Sequence, residues 1–137
     1  MGPAVMTAVD AAGGHDHYYG AVKITGPNAT VTNNYLEGNF NGVVAIGYGL
    51  DSASGLYGLL RPVDTTVTEN TIVESGNTGL VTDVAADVFR TATFDRNDYR
   101  YSNTGGTHWV WSTGAEKPWQ IWQGDFRNDL NGTLSQP

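Results

Sequence analysis

Three segments of the chain repeat one pattern, and this repeat constrains the fold more than any other feature of the sequence. The copies begin at Ala29, Thr65 and Ala92, and each carries a Thr, an apolar residue, an Asn and a second apolar residue in the same order. Alignment of the copies produces two apolar columns, namely Val31, Val67 and Phe94, and then Leu36, Ile72 and Tyr99. Its third column is Asn34, Asn70 and Asn97, spaced 36 and 27 residues apart.

A second set of strand-like segments lies between these copies, each beginning with glycine. The glycines are Gly20, Gly42, Gly79 and Gly106, and the shortest interval between them is about 22 residues. Repeats of about this length that contain two or three short strands are typical of solenoids. The sequence therefore predicts an all-β, right-handed, single-stranded parallel β-helix of about four coils with an aromatic C-terminal cap. A β-sandwich or barrel with similar strands and glycine-rich turns is the alternative.

The Asn column has a physical reason in this prediction. The turn between two strands of a coil needs a residue near the left-handed backbone region, which Asn tolerates better than most residues. Stacked Asn amides also hydrogen-bond from one coil to the next. We therefore predict that Asn34, Asn70 and Asn97 form a structural column.

One domain is expected from 137 residues. We divide it into an N-terminal strand and loop (1–19), coils (20–108) and a C-terminal cap or tail (109–137) that holds all four tryptophans. Residues 47–62 interrupt the repeat and are predicted to protrude as a loop. No capping helix precedes the first strand, so we expect either a C-terminal piece of a longer protein or an open end covered by another chain.

Composition excludes several classes of function. The net charge is −7 with only 7 Lys and Arg, which disfavours nucleic-acid binding and repels a polyanionic sugar at long range. The absence of cysteine excludes disulfides and thiolate sites. No apolar run reaches the ~18 residues of a membrane span, and the N-terminal residues do not resemble a signal peptide.

The stretch 18–49, which reads YYGAVKITGPNATVTNNYLEGNFNGVVAIGYG, resembles the polysaccharide lyases of the chondroitinase B and alginate lyase type. The later stretch FDRNDYRYSNTGGTHWVWS, with PWQIWQGDFRND after it, looks like the closing segment of secreted bacterial right-handed β-helix proteins. The resemblance implies a secreted or cell-surface location and a polysaccharide or oligosaccharide partner. Lyases of this type use a Lys and an Arg, and some use Ca²⁺, but their catalytic residues lie upstream of the matching stretch. No residue here inherits either role, and Ca²⁺ is the only cofactor that the resemblance implies.

Candidate sugar-binding residues come from three places. Lys23 alternates with two apolar residues and should point outward, where it contacts a sugar carboxylate or is simply solvated. The cluster that includes His15, His17 and Tyr18 is a sugar contact or an acid–base pair, a loop without chemistry, or a metal site for which no third ligand is evident nearby. Tyr57 and Arg61 lie at the end of the interrupting loop and would line one wall of a groove. The alternative is that this loop is a surface loop without a binding role.

The alternating charges of residues 95–100 are interpreted as a solvated ion-pair face. The leading function is an extracellular, polysaccharide-directed domain, the C-terminal part of a lyase-like protein, and catalysis is not expected from this chain alone. The alternative is a non-catalytic module that binds glycans or has a structural role, self-assembling into homo-oligomers through exposed ends. No metal, nucleic acid or membrane is expected as a partner.

Overall fold

The computed structural model describes residues 4–6, 20–46, 62–81, 86–112 and 115–137. Most of these residues lie in short strands. In chain order the elements are β1 (Ala4–Met6), β2 (Val22–Ile24), β3 (Thr30–Thr32), β4 (Asn34–Glu37), β5 (Val43–Ile46), β6 (Thr66–Thr68), β7 (Thr71–Val73), β8 (Thr78–Val81), α1 (Ala86–Arg90), β9 (Thr93–Asp95), β10 (Asp98–Arg100), β11 (Thr107–Ser112), β12 (Glu116–Pro118), α2 (Trp119–Gly124) and β13 (Thr133–Ser135).

The described strands form three sheets, and neighbouring strands in each sheet come from distant parts of the chain. Sheet A has the order β1-β4-β7-β10-β13, sheet B has the order β2-β5-β8-β11-β12, and sheet C has the order β3-β6-β9. Every pair is parallel except β11 with β12, which is antiparallel. Three consecutive strands thus contribute one strand to each sheet, and we name β3–β5, β6–β8 and β9–β11 the first, second and third tiers.

Like residues stack from tier to tier in the core. In sheet C Val31 pairs with Val67, which pairs with Phe94. In sheet A the matching column is Leu36, Ile72 and Tyr99, all of them fully buried. Each fully buried apolar side chain of this size contributes about 1.5–3 kcal/mol to the free energy of folding. The register agrees with the alignment of the three sequence copies.

The register of sheet B differs from the one that the glycine alignment predicts. The third residue after each of those four glycines would share one outward row, namely Lys23, Ala45, Thr82 and Trp109. Instead Lys23 pairs with Val44, Val44 with Gly79, and Gly79 with Val110. A shift of one residue moves a side chain to the other face of a sheet. Ala45 and Trp109 consequently lie in the core, while Thr82 lies outside the described residues. The glycines mislead because their position relative to the following strand varies from tier to tier.

A ladder of side-chain amides runs beside the core at the turn between sheets C and A. Nδ2 of Asn34 donates to Oδ1 of Asn70 (3.0 Å), and Nδ2 of Asn70 donates to Oδ1 of Asn97 (3.0 Å). The backbone N–H groups of Asn34 and Asn70 donate to the same two oxygens, at 3.1 and 3.0 Å. The left-handed backbone is not at the ladder residues but one position earlier, at Asn33, Glu69 and Arg96, with φ of 59°, 60° and 56°. Asn is therefore required for its amide rather than for its backbone.

Asp129 ends the ladder. Its Oδ1 accepts hydrogen bonds from the backbone N–H (3.1 Å) and Nδ2 (2.9 Å) of Asn97. Its Oδ2 accepts hydrogen bonds from the Tyr99 hydroxyl (2.7 Å) and from Nε1 of Trp122 (2.9 Å). Burial raises the pKa of Asp129, and the four hydrogen bonds to its carboxylate oppose this rise. A carboxylate suits the position because four donors converge on it, and an ionised carboxylate only accepts.

Residues 115–137, which we name the closing segment, cover the third tier. Strand β12 pairs with β11 and β13 pairs with β10, while the N–H of Asp129 donates to the carbonyl oxygen of Phe94 in β9 (2.7 Å). Trp109 and Trp122 are fully buried, and Phe94 and Tyr99 pack against them edge-on at ring-centroid distances of 5.3 Å in the pairs Phe94–Trp122 and Tyr99–Trp109. The tryptophans are thus core residues of this end of the molecule.

The prediction of an all-β, right-handed parallel β-helix is wrong. The structure contains the helices α1 and α2, an antiparallel pair at β11 and β12, and a sheet C of three strands beside two sheets of five, so the described residues form no closed solenoid. The repeat identifies which strands pair, because like residues stack, but it carries no information about closure. Trp119 and Trp122 also lie three residues apart, which is helical rather than strand spacing.

Candidate functional site

The outer face of sheet A carries two rows of side chains that cross four strands. One side chain in each strand points into the core, namely Leu36, Ile72, Tyr99 and Leu134. Since successive residues of a strand point to opposite faces, the flanking residues lie on the outer face. The first row is Tyr35, Thr71, Asp98 and Thr133, and the second is Glu37, Val73, Arg100 and Ser135. Of these eight, only Val73 is buried, so the face is polar and accessible.

Asp98 and Arg100 form the centre of this face. Nε and Nη2 of Arg100 both donate to Oδ2 of Asp98, at 3.0 and 2.8 Å, and the Thr133 hydroxyl donates to Oδ1 of Asp98 (2.9 Å). The Asp98 hydrogen bonds and charge raise the pKa of Arg100, with a smaller contribution from Tyr35. The two charged side chains remain 33% and 40% exposed. The pair thus presents further donors and acceptors in fixed positions, a geometry suited to recognising neighbouring hydroxyl groups.

Tyr35 supplies the aromatic part of the face. It lies in β4, where it pairs with Thr71 of β7, and it is half-buried. Neighbouring strands are about 4.8 Å apart, so Tyr35 and Asp98 lie about 10 Å apart along the first row. A tyrosine ring offers an apolar surface with a polar tip, and it complements the hydrogen-bonding pair beside it.

Glu74 and Ser102 lie where the strands of sheet A end. Glu74 directly follows β7 and has φ of 45°, and its Oε1 accepts hydrogen bonds from the N–H of Ser102 and from the Ser102 hydroxyl (2.7 Å for the hydroxyl). The Ser102 hydrogen bonds lower the pKa of Glu74, and the charge of His108 lowers it further. Glu74 is exposed, so it presents an anchored, ionised carboxylate at the end of the face.

His108 lies beside this carboxylate and is held in place on two sides. Its ring stacks on Tyr101, with ring centroids 3.7 Å apart and planes 5° apart. Its Nε2 is 2.8 Å from the carbonyl oxygen of Asn103, which can only accept, so Nε2 carries a proton. Nδ1 is therefore the ring nitrogen that can contact a further group, such as a hydroxyl of a ligand.

Lys23 is the one predicted sugar-binding residue that the structure describes. It lies in β2 at one edge of sheet B and is exposed, and its side chain forms no hydrogen bond or ion pair within the described ranges. It is not on the outer face of sheet A. His15, His17, Tyr18, Tyr57 and Arg61 lie outside the described residues.

Sequence reasoning did not identify Tyr35, Asp98 or Arg100 as site residues. It interpreted the charges of residues 95–100 as a solvated ion-pair face. The signal was present in the repeat itself, because at least one polar residue flanks the same apolar column in every copy. Only the register across β4, β7 and β10 turns those flanking residues into two continuous rows.

No group of three or more His, Cys, Asp and Glu that could hold a metal ion occurs in the part of the chain that the structure describes. Neither α1 nor α2, with 5 and 6 residues, has the length or apolar character to cross a bilayer. Comparison of the chain with protein-family models, with curated proteins and with solved structures finds no match. The likeness to polysaccharide lyases therefore stays a prediction.

Proposed function

We propose that this protein is a non-catalytic, extracellular module that binds a polysaccharide chain on the outer face of sheet A. The observation that carries the proposal is the exposed polar face on which Tyr35 and the Asp98–Arg100 pair lie in one register. Glycan sites combine an apolar surface for the sugar ring with a few fixed polar groups for its hydroxyls. The face offers both kinds of group across strands that repeat about every 4.8 Å.

The charges of the face favour binding without cleavage. The lyase chemistry implied by the sequence resemblance needs a Lys and an Arg at one site. Among the strands of sheet A the one basic residue is Arg100, and Asp98 already holds it. Lys23 belongs to sheet B, so it cannot complete such a pair from within the face.

Binding is tested by isothermal titration calorimetry with a panel of oligosaccharides that differ in sugar and in charge. We expect Tyr35→Ala to weaken binding about 3- to 10-fold through loss of ring contact. Arg100→Ala should weaken it about 10-fold or more, because a charged hydrogen bond to the sugar is lost and Oδ2 of Asp98 loses the guanidinium that holds it in place. Lys23→Ala is the matched surface control and should leave affinity unchanged.

Several outcomes would contradict the proposal. Failure of every oligosaccharide to bind would remove the function itself. Loss of binding in Lys23→Ala, with Arg100→Ala unaffected, would move the site to sheet B. Appearance of an ultraviolet-absorbing unsaturated product from a polyuronate would establish lyase activity instead. Circular dichroism and thermal melts of each variant separate loss of contact from loss of fold.

A second candidate function is self-association, and one edge of sheet C favours it. Strand β3 pairs with β6 on one side and has no partner on its other side among the residues described. Unpaired strand edges readily pair with another chain. Light scattering over a range of protein concentrations tests this candidate, because the measured mass must grow with concentration if the edge associates.

A further inference from the structure

The charge on the outer face of sheet A restricts which glycans it can bind. Of the 7 Lys and Arg residues in the chain, Arg100 is the one that lies in a strand of sheet A. Two hydrogen bonds from its guanidinium to Asp98 already compensate that charge. A sugar carboxylate approaching this face would therefore find no unpaired cation on these strands.

Two carboxylates at the strand ends leave the face negative. Glu37 ends β4 and is exposed, and its side chain makes no hydrogen bond or ion pair to any described residue. Glu74 follows β7, and both of its hydrogen bonds go to Oε1, so Oε2 has no donor within the described ranges. With Asp98 included, three carboxylates stand against the single guanidinium of Arg100.

We infer that the glycan bound on this face carries protonated amines, as a polymer of 2-amino-2-deoxy sugars does, and is not a polyuronate. This inference rests on the proposed function. With one sugar ring packed on Tyr35, the neighbouring sugar units would extend along the strands. The amines of these units would then lie near Glu37 and Glu74. The whole-chain charge of −7 acts in the same direction, because it attracts a polycation and repels a polyanion at long range.

The test uses three oligosaccharides of equal length, made of glucosamine, N-acetylglucosamine and galacturonic acid. Affinities are measured by calorimetry at about pH 5.5, where carboxylates are ionised and the sugar amines are protonated. We expect the glucosamine oligomer to bind about 3- to 10-fold more tightly than its acetylated counterpart, and added salt should narrow this gap. The galacturonic acid oligomer should not bind.

The double variant E37Q/E74Q should abolish the preference for the amine, so that the glucosamine and N-acetylglucosamine oligomers bind with equal affinity. Glu116→Gln is the charge-matched control, since Glu116 lies in β12 of sheet B, and it should keep the preference. Equal binding of the two glucosamine-type oligomers, binding of the galacturonic acid oligomer, or a preference that survives in E37Q/E74Q would overturn the inference. Each of these results leaves glycan binding itself intact, whereas failure of all three oligomers to bind would remove the proposed function.

Discussion

The asparagine ladder obtains its hydrogen-bond acceptors in two different ways, from asparagine in the tiers and from aspartate in the closing segment. In the tiers, Asn70 accepts two hydrogen bonds from the residue above it and donates to Asn97 below it. In the closing segment, Asp129 accepts from Asn97 but has no amide with which to donate onward. The asparagine arrangement can repeat through any number of tiers, whereas the carboxylate of Asp129 ends the series of amide hydrogen bonds.

This difference shows that the amide ladder has a direction. From one side chain of the ladder to the next, each amide donates toward the closing segment. The side chain that follows Asn97 therefore has to accept and has nothing further to donate to. The carboxylate of Asp129 meets that need and also receives Tyr99 and Trp122. Hydrogen bonds aligned in one direction polarise each other and strengthen. The carboxylate of Asp129 therefore also strengthens hydrogen bonds between asparagines that it does not contact.

Replacing Asp129 by Ala is expected to produce the largest effect. The change leaves the donors of Asn97, Tyr99 and Trp122 buried without an acceptor, which should lower the free energy of unfolding by about 3–5 kcal/mol. Chemical denaturation measures this loss. Asp125→Ala, at an exposed carboxylate of the same segment, should change it by less than about 0.5 kcal/mol. Equal effects of the two variants would mean that Asp129 does not act through the ladder.

Replacing one asparagine of the ladder should cause the next largest loss in the free energy of unfolding. The size of this loss should depend on where in the ladder that asparagine lies. Asn70→Ala deprives Asn34 of its acceptor and leaves the carbonyl of Val31 without its donor, at a cost of about 2–3 kcal/mol. Asn34→Ala, at the partly exposed first rung, should cost about 1 kcal/mol. Denaturant midpoints compared under one condition would show the order, and a reversed order would contradict a ladder anchored at its buried end.

Trp122→Phe tests how much the hydrogen bond to Asp129 contributes to the stability of the closing segment. It removes the hydrogen bond to Asp129 along with part of the ring, and we expect a loss of about 2 kcal/mol. Trp119→Phe shrinks a ring that packs on Trp109 at 5.0 Å but bonds to no carboxylate among the described contacts, so about 1 kcal/mol is expected. If both thermal melts shift equally, the Trp122 indole hydrogen bond contributes nothing measurable.

The smallest expected effect is a pH dependence of the free energy of unfolding that comes from Asp129. Because burial raises the folded-state pKa of Asp129, the folded chain holds this proton at pH values where the unfolded chain has released it. The contribution of Asp129 to stability is then fully present below the unfolded-state pKa and falls as pH rises through the folded-state value. Asp129→Asn cannot titrate, so the difference in unfolding free energy between wild type and this variant should fall with rising pH and then level off. A difference that rises with pH would show that the four hydrogen bonds outweigh burial.

Sequence reasoning identified the parts of the fold that depend on repetition. The columns Val31–Val67–Phe94 and Leu36–Ile72–Tyr99 were visible because stacking selects similar residues at equal positions. Closure of a solenoid was predicted wrongly, since the helices and the antiparallel pair lie where the repeat is interrupted or ends. Asp129 was missed because a different residue type occupies the final rung and the spacing changes to 32 residues.

The candidate site was less visible in the sequence than the core. Lys23 was singled out because it interrupts an apolar strand, but no neighbour in the sheet reinforces it. Asp98 and Arg100 were interpreted as ordinary surface charges, since charge alternation alone does not distinguish solvated from organised pairs. Their arrangement with Tyr35 depends on contacts between strands, and these contacts come from parts of the chain that the sequence does not place side by side.

The spacing of the ladder also has a consequence for how the chain folds. Its hydrogen bonds join residues 36, 27 and 32 positions apart, and the paired residues of the tiers lie 27 to 36 positions apart. Almost no strand finds its partner nearby, so each step of folding must close a loop of about 30 residues before it gains a contact. Chains with such non-local pairing fold in about milliseconds to seconds rather than microseconds. Refolding should therefore be slow.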